Sequence, residues 1–211
     1  MYIQELWRYP AKSVAGERVR EIEAGPLGLA GDRTILVHRR GKVVTSRTHH
    51  KLLGLKGTLD AAGVPRIDGY LWNSPEALAL VKAAAGADAE LEHYDGAERF
   101  DVLPLLVATD GAIAHMGFDS RRLRPNIIIG GVEGLAEREW QGRCLRIGDA
   151  IVHAAQLRAR CVMTTFDPDT LKQDLNVLRG IVKELGGTMA LDCSVVSGGR
   201  LKEGAPVEVL D

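Results

Sequence analysis

Apolar and polar positions alternate over short runs along most of the chain, the period of half-buried strands. Residues 2–7 predict a strand that stops at Tyr9-Pro10, and residues 17–24, where charged positions alternate with Val19 and Ile22, predict a second. Residues 33–38 and 43–47 flank a Gly41-Lys42 turn and predict a hairpin. Further strands are predicted at 88–94, 104–108, 127–129, 145–157 with a turn at Gly148-Asp149, 190–196 and 201–210.

Three stretches have helical spacing instead. Ser74-Pro75 places an N-cap residue before a proline at the first helical position, so a helix is predicted over 75–85, ending at Gly86. Thr109-Asp110-Gly111 opens a short helix to Met116. Residues 168–185 predict a third helix, with Leu171, Leu175, Leu178, Val182 and Leu185 on one face read as core. Many short strands with few helices predict a mostly β fold with helical inserts (α+β), built as two closely packed barrel-like units. The polar turn Asp95-Gly96-Ala97-Glu98 is the expected boundary between residues 1–96 and 97–211.

A chain of 211 residues can bury a core without covalent staples. Its 27 basic and 28 acidic residues leave a formal charge of −1, which argues against a general nucleic-acid or membrane-surface binder. The N-terminal stretch lacks the apolar core of a signal peptide, and no run of about 18 apolar residues predicts a membrane span. A cytoplasmic, reducing location is expected. The three cysteines are far apart and the six histidines form no H-x-x-x-H pair, so a metal cage built from side chains is not expected.

Chemistry therefore has to come from local clusters. Cys161 follows Arg160 and lies three residues after Arg158, at the end of a β-like run. Positive charge beside a thiol favours the thiolate, the form that attacks or binds metal. A free cysteine is also commonly a small buried hydrophobe, so this stretch alone leaves both roles open. Lys12 and Ser13 after Tyr9-Pro10, Arg33 in Gly31-Asp32-Arg33, and Arg47 sit at predicted strand ends and suit a phosphate or carboxylate, as a solvated surface also would. Arg121, Arg122 and Arg124 precede Pro125-Asn126 and an apolar strand, an arrangement that asks for an anionic partner.

Taken together, Tyr9-Pro10-Ala11-Lys12-Ser13, Gly31-Asp32-Arg33, Arg124-Pro125-Asn126, Trp140-Gln141-Gly142 and Arg160-Cys161 with Asp167-Pro168-Asp169-Thr170 resemble the MOSC family in the family's order. That family is named for the C-terminal domain of molybdenum cofactor sulfurases. The first two motifs resemble the β-barrel domain that often precedes it. The resemblance extends to reductases of N-hydroxylated bases, the mitochondrial amidoxime-reducing components among them. It implies a molybdopterin cofactor held by Lys12, Ser13, Arg33, Arg47, Arg124, Asn126 and Arg160, with Cys161 as molybdenum ligand and catalytic centre. The implied substrate is a small N-hydroxylated or N-oxide compound. Three cysteines are too few for a four-thiolate iron–sulfur cluster, so a separate electron-donor protein is expected. The same resemblance allows a sulfurtransferase or cofactor carrier with a Cys161 persulfide, or a binding module without catalysis. The chain departs from the family at Arg158, where a second cysteine is frequent, and at Thr188-Met189-Ala190, where Asn-Phe-Gly is frequent.

Overall fold

The computed structural model describes residues 1–210. The fold is mostly β, with 40% of residues in strands and 24% in helices. Its centre is an eight-stranded sheet with the order Val207–Val209, Cys144–Ile147, Ala150–Ala159, Thr188–Ser197, Leu105–Thr109, Ile127–Gly130, Tyr2–Arg8 and Glu17–Val19. Neighbours are antiparallel except Leu105–Thr109 and Ile127–Gly130, which run parallel. Parallel strands need a crossover, and this one carries helix α2 (Asp110–Met116), capped by Thr109.

The central strands Leu105–Thr109 and Ile127–Gly130 are buried on both faces, while outer strands alternate buried and exposed positions. On Leu105–Thr109, Leu105 and Val107 pack with Ile3, Leu6, Ile127 and Leu145, while Leu106 and Ala108 pack with Leu123, Ile181 and Leu185. The second cluster lies under α2 and α3 (Leu175–Leu185). A third cluster joins Ile35, Val37, Leu52 and Ile67 to Ala77 and Val81 of α1 (Pro75–Ala85). There the N-cap expectation holds, since Ser74 Oγ accepts from Ala77 N at 3.2 Å.

The eight-stranded ladder does not close into a continuous barrel. Its two ends approach through an isolated bridge, Tyr2 to Pro206, and Ile3 N donates to Ala205 O at 2.9 Å. The expected strand over 17–24 is two strands, Glu17–Val19 on Tyr2–Arg8 and Glu21–Gly25 on Gly199–Lys202, so the chain changes sheets at Arg20. The expected hairpin is shorter, Ile35–Arg39 with Lys42–Val43, and Arg33 lies before it at φ 56°.

The third helix begins seven residues later than its leucine spacing predicts. Asp167 Oδ1 accepts from Asp169 N, Thr170 N and Thr170 Oγ1, and Leu171 adopts φ 57°, so the first stretch is a side-chain-stabilised turn. Asp174 then caps the helix by accepting from Asn176 N at 2.9 Å. Ile181 and Leu185 are buried, with Val177 partly buried beside them, so Leu185 is core as expected, whereas Leu175 and Val182 are 47% and 56% exposed. Two apolar stripes coexist on this helix, and contact with the sheet decides which one is core.

Candidate functional site

The exit of Tyr2–Arg8, the starts of Leu105–Thr109 and Ile127–Gly130 and the last residues of Ala150–Ala159 with their loops deliver the site. Leu6 pairs with Ile127, Val107 with Ile127, and Leu106 with Asp192, so the exit of Tyr2–Arg8 lies beside the starts of Leu105–Thr109 and Ile127–Gly130. Leu106 and Gln156 both pair with Asp192, and Arg158, Arg160 and Cys161, which follow Gln156, line the same basin as Leu106 and Asp192. That basin is lined by Cys161 and by all seven residues that the resemblance assigns to cofactor binding: Lys12, Ser13, Arg33, Arg47, Arg124, Asn126 and Arg160. It also takes in Arg122 and Arg158, which the sequence sets beside Arg124 and Cys161, and two carboxylates that no sequence signal marks, Asp101 and Asp192.

The loops are held by bonds that explain their sequence. The Tyr9 amide donates to Asp32 Oδ1 at 2.7 Å, and Arg33 N donates to Tyr9 O at 2.7 Å, which locks Gly31-Asp32-Arg33 to Tyr9-Pro10. Asp32 also pairs with Arg33. Asn126 is fully buried, and its Oδ1 accepts from Leu106 N at 3.1 Å and Arg33 Nη1 at 3.3 Å. Its Nδ2 donates to Asp32 Oδ2 at 3.2 Å and Trp7 O at 3.4 Å. The Asn126 amide is thus spent on holding three segments together.

Ser13, Arg33 and Arg124 occupy left-handed backbone at φ 70°, 56° and 57°. L-residues pay about 1–2 kcal/mol for that conformation, and such positions cluster where a side chain must be aimed. Arg124 lies 4.3 Å above the buried Tyr9 ring and donates to Val14 O at 2.8 Å, while Arg33 lies 5.1 Å from the same ring. Burial pushes the Arg124 guanidinium down to about 10. Burial pushes Arg160 down to about 10 as well, reinforced by repulsion from Arg158.

Arg160 donates from Nη2 to Leu123 O at 2.8 Å, but its Nε is buried and has no hydrogen-bond partner. Cys161 is half-buried and precedes the turn Val162–Thr165, whose Thr164 N bonds to Cys161 O at 3.1 Å. Arg122 steadies that turn by donating to Thr165 O and Asp167 Oδ2, both at 3.0 Å. Arg158 donates to Asp192 Oδ1 at 3.1 Å. Burial raises the Asp192 carboxyl above the usual range, against the lowering pull of Arg158. No three His, Cys, Asp or Glu side chains come together as a metal cage among the described residues.

Chemically, the lining sets seven cationic side chains and one thiol against two carboxylates, in a chain whose net charge is −1. Together with the unpartnered Arg160 Nε, this fits an anionic group that brings metal ligands of its own. The open space is small, about 90 Å³. A larger groove of about 730 Å³ shares Arg122, Arg124 and Met163 with the basin and is walled by Trp7, Leu53, Lys56, Phe166 and Pro168.

Family models match the whole architecture. The MOSC N-terminal beta barrel domain matches residues 1–92 and the MOSC domain residues 93–208. The chain belongs to the MOSC family. This MOSC chain is 25% identical over 227 residues to human mitochondrial amidoxime-reducing component 1, covering 80% of the chain and 67% of that relative. It is 29% identical over 126 residues to human mitochondrial amidoxime reducing component 2, covering 51% of the chain and 37% of the relative. Among solved structures, the YuaD protein of Bacillus subtilis aligns with TM-score 0.51 at 12% identity, covering 98% of this chain and 93% of that one, a likeness of fold. No helix among the described residues is long and apolar enough to cross a membrane.

Proposed function

We propose that the basin binds a molybdenum cofactor, with Cys161 as its protein thiolate ligand, and that the protein reduces N-hydroxylated or N-oxide compounds. The observation that carries the reading is the composition of the basin: seven cations and a half-buried thiol around a buried guanidinium nitrogen with no protein acceptor. The names of the human relatives support the substrate class.

When bound, the cofactor supplies two-electron redox chemistry and sulfur ligands of its own. Lys12, Ser13, Arg33 and Arg47 present charge and directional donors to its phosphate. Arg124, 4.3 Å over the Tyr9 ring, offers a cationic group to a planar pterin. Arg160 places positive charge beside the thiolate of Cys161. Asn126 holds the Tyr9–Arg33 loops in position instead of donating to a ligand. The net reaction, R–NHOH plus two protons and two electrons to R–NH₂ plus water, takes its electrons from a separate donor protein. The groove past Met163 receives the body of the substrate.

Elemental analysis of protein purified from a cofactor-producing host tests this, for wild type and Cys161→Ala together. Near-stoichiometric molybdenum in wild type, lost in the variant, is expected. No metal in folded wild type would end the reading, and a gain of one sulfur on Cys161 after exposure to a cysteine desulfurase would replace it with sulfur transfer.

A further inference from the structure

Three cations of the basin meet on one carboxylate. Asp101 Oδ1 lies 2.8 Å from Lys12 Nζ, while Oδ2 lies 2.9 Å from Arg47 Nη2 and 3.6 Å from Arg158 Nη2. Two of the three are also tethered elsewhere: Lys12 donates to Arg99 O at 2.8 Å, and Arg158 to Asp192 Oδ1 at 3.1 Å. These donors therefore stay in place whatever Asp101 does. Asp101 itself stands in a stretch without regular structure, between the turn Ala97–Arg99 and the strand Leu105–Thr109, beside the exposed Val102. Asp192, by contrast, is buried on a central strand and has no such freedom.

We propose that Lys12, Arg47 and Arg158 form an oxyanion seat whose resident counter-ion is Asp101, and that a phosphate-bearing ligand enters by displacing that carboxylate. A carboxylate offers two oxygens and a single charge. A phosphate monoester offers three terminal oxygens and nearly two charges at neutral pH, so the same three donors gain charge-assisted bonds in the exchange. A ligand oxygen that bonds both Lys12 Nζ and Arg47 Nη2 has to take the place of the carboxylate oxygens now 2.8 and 2.9 Å from them. Asp101 thereby sets how readily the basin loads. The inference rests on the cofactor reading only for the identity of the natural ligand, because the seat is defined by the protein's own side chains.

The test uses metal-free protein and inorganic phosphate, by titration calorimetry and thermal melting. Asp101→Asn is expected to bind phosphate about tenfold more tightly than wild type, since it removes the competing charge and keeps the shape. The melting temperature of this variant should fall without phosphate and recover with it. Adding Arg47→Gln to Asp101→Asn should erase the gain. Arg47 is 48% exposed and, among the described residues, bonds only to Asp101, so Arg47→Gln alone should fold and bind phosphate several-fold more weakly than wild type. Equal or weaker phosphate binding by Asp101→Asn, or a gain that survives loss of Arg47, would overturn the proposal. If Asp101→Asn does not fold, unchanged binding by Arg47→Gln would overturn it equally. Phosphate exchange at this seat in a protein that never takes up molybdenum would leave the seat standing and remove the cofactor reading.

Discussion

Asn126 and Asp32, 94 residues apart, are joined in the core by a 3.2 Å hydrogen bond, and both side chains are fully buried. Asp32 also accepts from Tyr9 N and pairs with Arg33, so one carboxylate ties the first loop of the chain to the strand entered at Ile127. Asp32→Ala leaves Arg33, Asn126 Nδ2 and an amide without their acceptor and should cost about 3–5 kcal/mol in urea unfolding. A loss below about 1 kcal/mol would mean that the three segments are held by something else.

Helix α3 separates its two apolar stripes. Ile181 is fully buried, and Ile181→Ala should cost about 2–4 kcal/mol through lost burial and a cavity. Val182→Lys, at a position 56% exposed, should change stability by no more than about 0.5 kcal/mol. Denaturant midpoints of the two variants distinguish this phase of the helix from one that puts Val182 inside.

Ser13 is buried at φ 70°. Ser13→Gly removes the left-handed strain and should raise the stability of metal-free protein by about 1 kcal/mol, partly offset by the freer unfolded chain. The same variant removes a hydroxyl donor from the basin and should retain the cofactor less firmly on dialysis. Improved retention would show that the hydroxyl plays no part in binding.

Asp101 titrates below the ordinary aspartate range: burial works against this, but bonding to Lys12 and the charges of Lys12, Arg47 and Arg158 outweigh it. A carboxyl lowered in the folded state adds stability above the unfolded value of about 4, and that stability is lost as pH falls through the lowered folded value. The stability difference between wild type and Asp101→Asn should therefore be constant above about pH 5 and shrink toward pH 3. A difference that grows on acidification would contradict the cluster.

The groove beyond Met163 predicts a split by substrate size. Trp7→Ala removes an aromatic wall of the groove, outside the basin that Cys161 lines, and should raise KM several-fold for a ring-bearing N-hydroxylated substrate. KM for methylhydroxylamine, too small to reach that wall, should be unchanged, as should molybdenum content. Equal effects on both substrates would place the substrate body elsewhere.

The local signals were legible in the chain by itself: short alternating strands, the Ser74 cap of α1, the start of α2 at Thr109-Asp110, and motifs with residues that line one basin. Each depends on neighbours in sequence, where period and capping act directly. The phase of α3 was not legible, because Leu175, Leu178 and Val182 satisfy helical spacing as well as Val177, Ile181 and Leu185 do, and only contact with the sheet selects the buried stripe. The split of residues 17–24 between two sheets was likewise decided by distant partners, Tyr2–Arg8 and Gly199–Lys202. The charges that complete the basin show the same limit. Asp101 and Asp192 carry no signal in the sequence; Asp101 meets Lys12, Arg47 and Arg158, and Asp192 meets Arg158, because the fold brings segments far apart in the chain to one basin, and that convergence exists only in three dimensions.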